Sequence, residues 1–388
     1  MNSEVASGMQ RTLAHRRHAG LSATDICGRL LGLAYFSTYV ASNASTDYEP
    51  STSPAKHILM LLLAMFSLAT VPGTALFSLL VFLPIVALYA FGNLYTYALM
   101  AAVFALALPL VSRVLQQVVN ERRRGDALIL LLVALIPALS ALLQGELDAI
   151  WSFQYSRGRL LMGYWHPKEA AACFALPLLL YILMQGKARM QSLLLLAPLG
   201  LWMIGSRNVS LAVYLFLGLW RFPKATVILL AVLTAAGMLF FITAGDAFDL
   251  LNDLSSLRLG VWSDALSDPS GAAGDDLLVG SRLAIDSFYI ELAASTGLAG
   301  LLVFLAWASA LYKLLGSRRH WRAASRPLLV SVLFFAAFDS GLVSTGNVLH
   351  VTLWALATMG LFSLRPARLR SSKSARAPVP ALTSAERT

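Results

Sequence analysis

Apolar residues come in long runs along this chain, separated by short polar interruptions. The runs cover about 28–44, 57–71, 74–91, 94–112, 127–144, 169–185, 191–205, 208–220, 225–244, 289–312, 327–343 and 347–364. Most approach the roughly 20 residues an α-helix needs to cross the hydrocarbon core of a bilayer. The pattern predicts an all-α polytopic membrane protein with about twelve transmembrane helices. The run at 28–44 is the most dilute, because Arg29 stands at its start and Ser, Thr and Tyr interrupt it. Those at 191–205 and 208–220 are short, and Gly205-Ser206-Arg207-Asn208 between them reads either as a tight turn or as a break within one kinked element.

Outside this region of 28–364, the polar and basic residues 1–27 lack the apolar core and cleavage site of a signal peptide and read as a cytoplasmic arm. The Pro/Ser/Ala-rich residues 365–388 read as a disordered cytoplasmic tail. With twelve crossings, two loops on the far side are long enough to build a site: 145–168 and the larger 245–288.

Composition agrees with the pattern. The chain has 388 residues, 58% hydrophobic and 13% charged, with a mean hydropathy of +0.69. Soluble domains carry about a quarter of their residues as charges, so an ordinary soluble domain and a disordered chain are both excluded. Cys27 and Cys173 lie far apart in or beside apolar segments and support neither a disulfide framework nor a metal cluster.

The net charge of +10 comes from 30 Lys and Arg against 20 Asp and Glu. In a soluble chain it would suggest nucleic acid. In a membrane protein the same surplus is expected as cytoplasmic Lys and Arg that set orientation, so no nucleic-acid partner is implied. The twelve-span topology puts 23 of the basic residues on the cytoplasmic side with both termini. Seven remain outside: Lys56, Arg157, Arg159, Lys168, Arg207, Arg258 and Arg282.

These seven carry the functional information. Residues 250–265 project as an amphipathic helix, with Leu250, Leu254, Leu257, Val261 and Trp262 on one face, and Arg258 falls inside that apolar arc. A guanidinium there must snorkel to lipid phosphate or meet an anion. Arg157 and Arg159 precede Gly163-Tyr164-Trp165-His166-Pro167-Lys168, which opens the next span and also fits an aromatic, basic membrane border. Arg207 sits at an outer helix junction, where an unpaired charge is costly; Asp339 is its candidate counter-ion. Arginine suits bidentate phosphate binding, and an anionic ligand is one reading of the group. Asp286 and Glu291 flank the start of the tenth span; Asp286 reads as a helix N-cap or as a carboxylate that orients or deprotonates a hydroxyl.

In their order, these parts resemble the O-antigen ligase and polymerase superfamily (Wzy/WaaL-type) of bacteria. Arg159 through Gly163, His166, Pro167 and Lys168, followed by an Ala-rich span, is similar to that family's Arg…Gly…Pro-Asn opening of a helix, with Lys168 where Asn is usual. Gly205-Ser206-Arg207 resembles its Ser-Arg junction. Residues 254–265 with Arg258 and Trp262, then Val279-Gly280-Ser281, then Asp286 to Gly300 with Tyr289, Glu291 and Gly297, resemble its large periplasmic loop and the following helix.

The resemblance implies a GT-C-like membrane glycosyltransferase of the bacterial inner membrane, with its active site facing the periplasm. Its donor would be an undecaprenyl-diphosphate-linked oligosaccharide, and a chain-length regulator and a flippase of the same pathway would be partners. Departure of the diphosphate would be stabilised by Arg159, Arg207 and Arg258, with Arg157 and Arg282 further out. Asp286 would act on the attacking sugar hydroxyl, and His166, Lys168 and Glu291 would line the substrate. No cofactor or metal is implied. Family ligases resemble one another in carrying a histidine near the end of the large loop, and 245–288 contains none. The polymerase of repeat units is therefore preferred, and His166 keeps the ligase open. A flippase or transporter is the reading of a different class; repeated halves are common there, and the single 44-residue outer loop breaks such symmetry.

Overall fold

The computed structural model describes residues 23–44, 54–154, 157–164, 166–185, 192–204, 206–243, 260, 263, 287–316, 322–338, 342–343 and 347–362. Residues 1–22, most of the loop 245–288 and the tail 365–388 lie outside the described residues. Among the described residues, twelve helices of twelve residues or more fall on the twelve predicted runs. They are α1 (Ala23–Asn43), α2 (Pro54–Thr70), α3 (Pro72–Phe91), α4 (Tyr95–Asn120), α5 (Arg124–Gln144), α7 (Pro167–Gln185), α8 (Ser192–Met203), α9 (Arg207–Arg221), α10 (Pro223–Thr243), α11 (Phe288–Leu315), α12 (Arg322–Ala336) and α13 (Val348–Phe362). The chain between α5 and α7 forms a one-turn helix, α6 (Leu147–Ile150), and an antiparallel hairpin of β1 (Trp151–Gln154) and β2 (Arg157–Leu160).

The fold is that of a helical membrane protein. Six helices, α3, α4, α5, α7, α10 and α11, are long and apolar enough to cross a bilayer, and α2, α12 and α13 are shorter apolar helices. At 12 and 15 residues, α8 and α9 fall short of a full crossing. They are nonetheless two elements rather than one kinked rod. The helix stops at Met203, Ser206 is non-helical at φ −100° and ψ 87°, and the Ser210 hydroxyl donates back to the Pro198 carbonyl at 2.8 Å.

Local chemistry explains where the helices turn. Pro72 opens α3 at the first helical position, where its missing N–H costs nothing. At the end of α5, Gly145 takes φ +77° and the Glu146 N–H reaches the Ala141 carbonyl at 2.9 Å, a left-handed cap that satisfies terminal carbonyls. Six of the twelve helices contain an internal proline, at 84, 109, 137, 177, 198 and 327. Such breaks are tolerated in membranes where neighbouring groups take up the freed carbonyls.

Two expectations need adjustment. The first helix starts at Ala23, so Arg29 lies nearly two turns inside it. It is accommodated because its guanidinium donates to Gln117 Oε1 at 3.2 Å and lies 3.7 Å from Asp126, while Asp25 one turn earlier pairs with Arg113 at 2.9 Å. The run at 289–312 is not one regular helix either. Gly297, at φ +67° and ψ −167°, breaks α11 into two pieces, a conformation open to glycine because it lacks a Cβ.

The core is built around α13, in which every residue except Leu361 is buried. It packs against α4, α7, α11 and α12. Trp354 is fully buried, meets Phe82 edge-on at 5.1 Å and donates its indole N–H to the Leu342 carbonyl at 2.9 Å. Phe82, Phe104, Phe288, Phe304 and Trp307 extend this aromatic cluster between α3, α4 and α11. Ser112 of α4 and Thr358 of α13 share a buried hydrogen bond at 3.0 Å. By contrast α10 buries none of its apolar window, as suits a helix facing hydrocarbon.

Candidate functional site

Three of the predicted residues, Arg157, Arg159 and His166, lie between α5 and α7, and Lys168 stands in the first turn of α7. The hairpin pairs Gln154 with Arg157 and Ser152 with Arg159. Its base is tied to α6 by the Leu161 and Gly163 amides, which donate to Ile150 and Ala149 at 2.8 and 2.9 Å. Gly163 has φ +77°, and a Cβ there would strike the Pro137 carbonyl carbon and oxygen. Glycine is thus required twice over, and its close approach lays the chain directly on α5. Tyr164 completes the attachment: it is 1% exposed, and its hydroxyl donates to the Ala134 carbonyl at 2.9 Å. Burial, followed by the neighbouring Cys173, pushes the Tyr164 phenol far above its ordinary range, so it stays a neutral donor.

Next, His166 caps α7. Its Nδ1 accepts the Lys168 backbone N–H at 3.1 Å, and its carbonyl accepts from Glu169 and Ala170. The imidazole therefore does the work usually given to Ser, Asp or Asn at a helix start. Lys168 lies half-buried in the first turn, with its ammonium 5.9 Å from the centre of the Phe335 ring at the far end of α12.

That end of α12 also receives α11. The Tyr289 hydroxyl donates to the Leu333 carbonyl at 2.6 Å, and Glu291, half-buried in the first turn of α11, is near enough to Tyr89 to act on it electrostatically. The Tyr89 hydroxyl accepts the Leu342 amide at 3.0 Å. The starts of α7 and α11, the end of α12 and the end of α3 thus meet at one end of the bundle, the end that bears the hairpin. Arg207 is the first helical residue of α9, half-buried, on a helix that packs against both α7 and α12.

The remaining predicted residues, Arg258, Arg282 and Asp286, lie outside the described residues, as does Asp339, the expected counter-ion of Arg207. Of the amphipathic segment 250–265, only Gly260 and Ser263 are described, and both are helical. Among the described residues, no three His, Cys, Asp or Glu side chains are grouped to hold a metal ion.

Two polar residues at this end were not singled out in the sequence. Glu169 acts electrostatically on Tyr35 and Cys173. An acidic residue in a first helical turn ordinarily complements the helix dipole, which hides any further role. His350 is fully buried in α13 and sits edge-on to the Phe335 ring at 5.0 Å. Its only signal is a histidine one turn into an otherwise apolar run, beside Asn347, whose side chain accepts the Leu349 amide at 2.9 Å.

This is a helical membrane protein with a polar, partly basic end built from helix starts and a β-hairpin. Comparison of the chain with protein-family models, with curated proteins and with solved structures finds no match.

Proposed function

We propose that the chain is a polymerase of undecaprenyl-diphosphate-linked oligosaccharide repeat units, making an O-antigen, capsule or exopolysaccharide. In this reading it lies in the bacterial inner membrane with both termini cytoplasmic, on the strength of the positive-inside count. The hairpin end then faces the periplasm.

What supports the reading most is the gathering of Arg157, Arg159, His166 and Lys168 on one short, multiply anchored segment at the membrane border. In the reaction, the bond from the anomeric carbon to the diphosphate oxygen breaks while a hydroxyl of the next unit bonds to that carbon. Charge grows on the departing diphosphate, and fixed cations in a partly dry site favour it. Arg159, Arg207 and Arg258 are assigned this role, with Arg157 and Arg282 further out. Asp286 takes the hydroxyl proton or orients it, and His166, Lys168 and Glu291 line the sugar path.

The test is reconstitution with one purified lipid-linked repeat unit, followed by gel analysis for a ladder of longer glycans. Loss of one such cation should slow the ladder by about 100-fold or more, so Arg207→Ala and Arg258→Ala should each abolish it within the assay window. Ladders that survive both changes at normal protein levels would sink the assignment. A ligase is the second reading, favoured by His166 at the same end; it predicts transfer to a lipid A core or protein acceptor with no ladder. Failure with every lipid-linked oligosaccharide, together with its movement across the bilayer, would make the protein a flippase.

A further inference from the structure

The opposite end of the bundle carries the turn Glu121–Arg124 and holds a cavity that glycosyl transfer does not use. It has a volume of about 180 Å³ and lies between α1, α4 and α5, with Leu63, Leu176 and Val351 closing its inner wall. The lining is largely apolar; Arg29 and Asp126 sit at the end near the turn, and Tyr35 and Thr352 are the polar residues deeper in. A dry apolar cavity of about 150 Å³ is already large enough to hold benzene, so this one takes a length of hydrocarbon.

Three observations say which hydrocarbon. The cavity follows α1 from Gly28 to Phe36, about 12 Å at 1.5 Å per residue, which is close to the roughly 15 Å depth of one leaflet's hydrocarbon. Its occupant therefore belongs to a single leaflet. Leu30 and Ile129 beside it are 61% and 47% exposed on the outer faces of α1 and α5, which gives a lateral path from the bilayer. Finally, Arg29 keeps a buried Nε with no hydrogen-bond partner, although its other nitrogens meet Gln117 and Asp126. Arg29, Arg113, Arg122, Arg123 and Arg124 outnumber Asp25, Glu121 and Asp126 at this end.

We propose that the cavity is a binding site for one acyl chain of an anionic phospholipid of the leaflet at the basic end, with Arg29 meeting the phosphate. The site is independent of the glycosyl-transfer reading and rests only on membrane embedding. Gly28 and Gly32 make the room: a Cβ at Gly28 would touch Leu110 at 3.1 Å, whereas one at Gly32 meets nothing within 4 Å. Position 32 can therefore be filled without disturbing its neighbours.

The experiment uses the full chain in vesicles of neutral lipid with traces of diazirine-tailed phosphatidylglycerol or phosphatidylcholine. After illumination, labelled peptides are mapped by mass spectrometry. Phosphatidylglycerol should label 28–36 and 111–118 about fivefold more than phosphatidylcholine, the preference one basic residue gives near an anionic surface. Arg29→Gln should bring the two lipids level, and Gly32→Phe should remove the labelling while Gly32→Ala keeps it. Equal labelling by both lipids in the unaltered protein, or labelling that persists in Gly32→Phe, would overturn the proposal. So would displacement of phosphatidylglycerol by equimolar undecaprenyl phosphate, which would assign the site to the isoprenoid. Melting of each variant, followed by reactivity of the buried Cys173 in a Cys27→Ser background, checks that the fold is kept.

Discussion

Replacing Gly163 by alanine should open the hairpin end, and the structure separates two contributions to the cost. The first is conformational. At φ +77° an L-residue in the left-handed region loses about 1 kcal/mol or slightly more relative to glycine. The second is steric. The new Cβ would overlap Pro137 backbone atoms, which cannot rotate aside as a flexible side chain would, so the loop must lift. Comparable overpacking costs about 1–3 kcal/mol, which brings the total to about 2–4 kcal/mol. Gly145→Ala is the internal control, because Gly145 shares the same φ but a Cβ there meets nothing within 4 Å. It should cost only the first contribution, about 1 kcal/mol. The assay follows a maleimide dye reacting with Cys173, fully buried against the Tyr164 hydroxyl, after the exposed Cys27 is replaced by serine. The labelling rate tracks the opened fraction, so Gly163→Ala should label at least about fivefold faster than Gly145→Ala, since each 1.4 kcal/mol is a factor of ten. Equal rates would mean that the contact of residue 163 with α5 does not hold this end together, and the account of the site's rigidity would fall.

Three further outcomes follow from contacts elsewhere. A double-mutant cycle of Ser112→Ala and Thr358→Val in SDS unfolding should give a coupling of about 0.6 kcal/mol, as is usual for interhelical hydrogen bonds in membranes. Tyr164→Phe should cost about 1 kcal/mol by removing the hydroxyl's bond to the Ala134 carbonyl, and should speed Cys173 labelling less than Gly163→Ala does. With an impermeant maleimide applied to intact cells, a single cysteine at Trp151 should react and one at Arg123 should not; the reverse pattern would invert the proposed orientation.

Much of the helical layout could be read from the sequence because a membrane makes the apolar run itself the signal: a helix must satisfy its own backbone wherever water is absent. The short runs were harder. The break within 191–220 falls at Ser206, where the backbone leaves the helix and Ser210 reaches back to Pro198, and hydrophobicity alone does not encode those contacts. The span at α11 concealed a break because Gly297 sits among residues as apolar as any in a straight helix. Arg29 looked like a boundary, yet it lies inside α1 because Gln117 and Asp126 come from α4 and α5 to meet it. A one-dimensional pattern cannot supply partners 88 residues away.

The basic residues divide along the same line. The sequence brings Arg157, Arg159, His166 and Lys168 close together in number, and the fold anchors the chain that carries them for reasons visible only in three dimensions. Gly163 approaches the backbone of α5, Tyr164 plugs into Ala134, and His166 spends one ring nitrogen on the start of α7. That last contact changes what His166 can do. An imidazole whose Nδ1 accepts a backbone N–H is held in one tautomer, with its proton on Nε2, so it enters any reaction as a donor rather than as a base. A ligase that needed His166 to deprotonate its acceptor would first have to give up the cap of α7. Under the proposed polymerase the acceptor hydroxyl is assigned to Asp286 instead, and the cap of α7 is left in place.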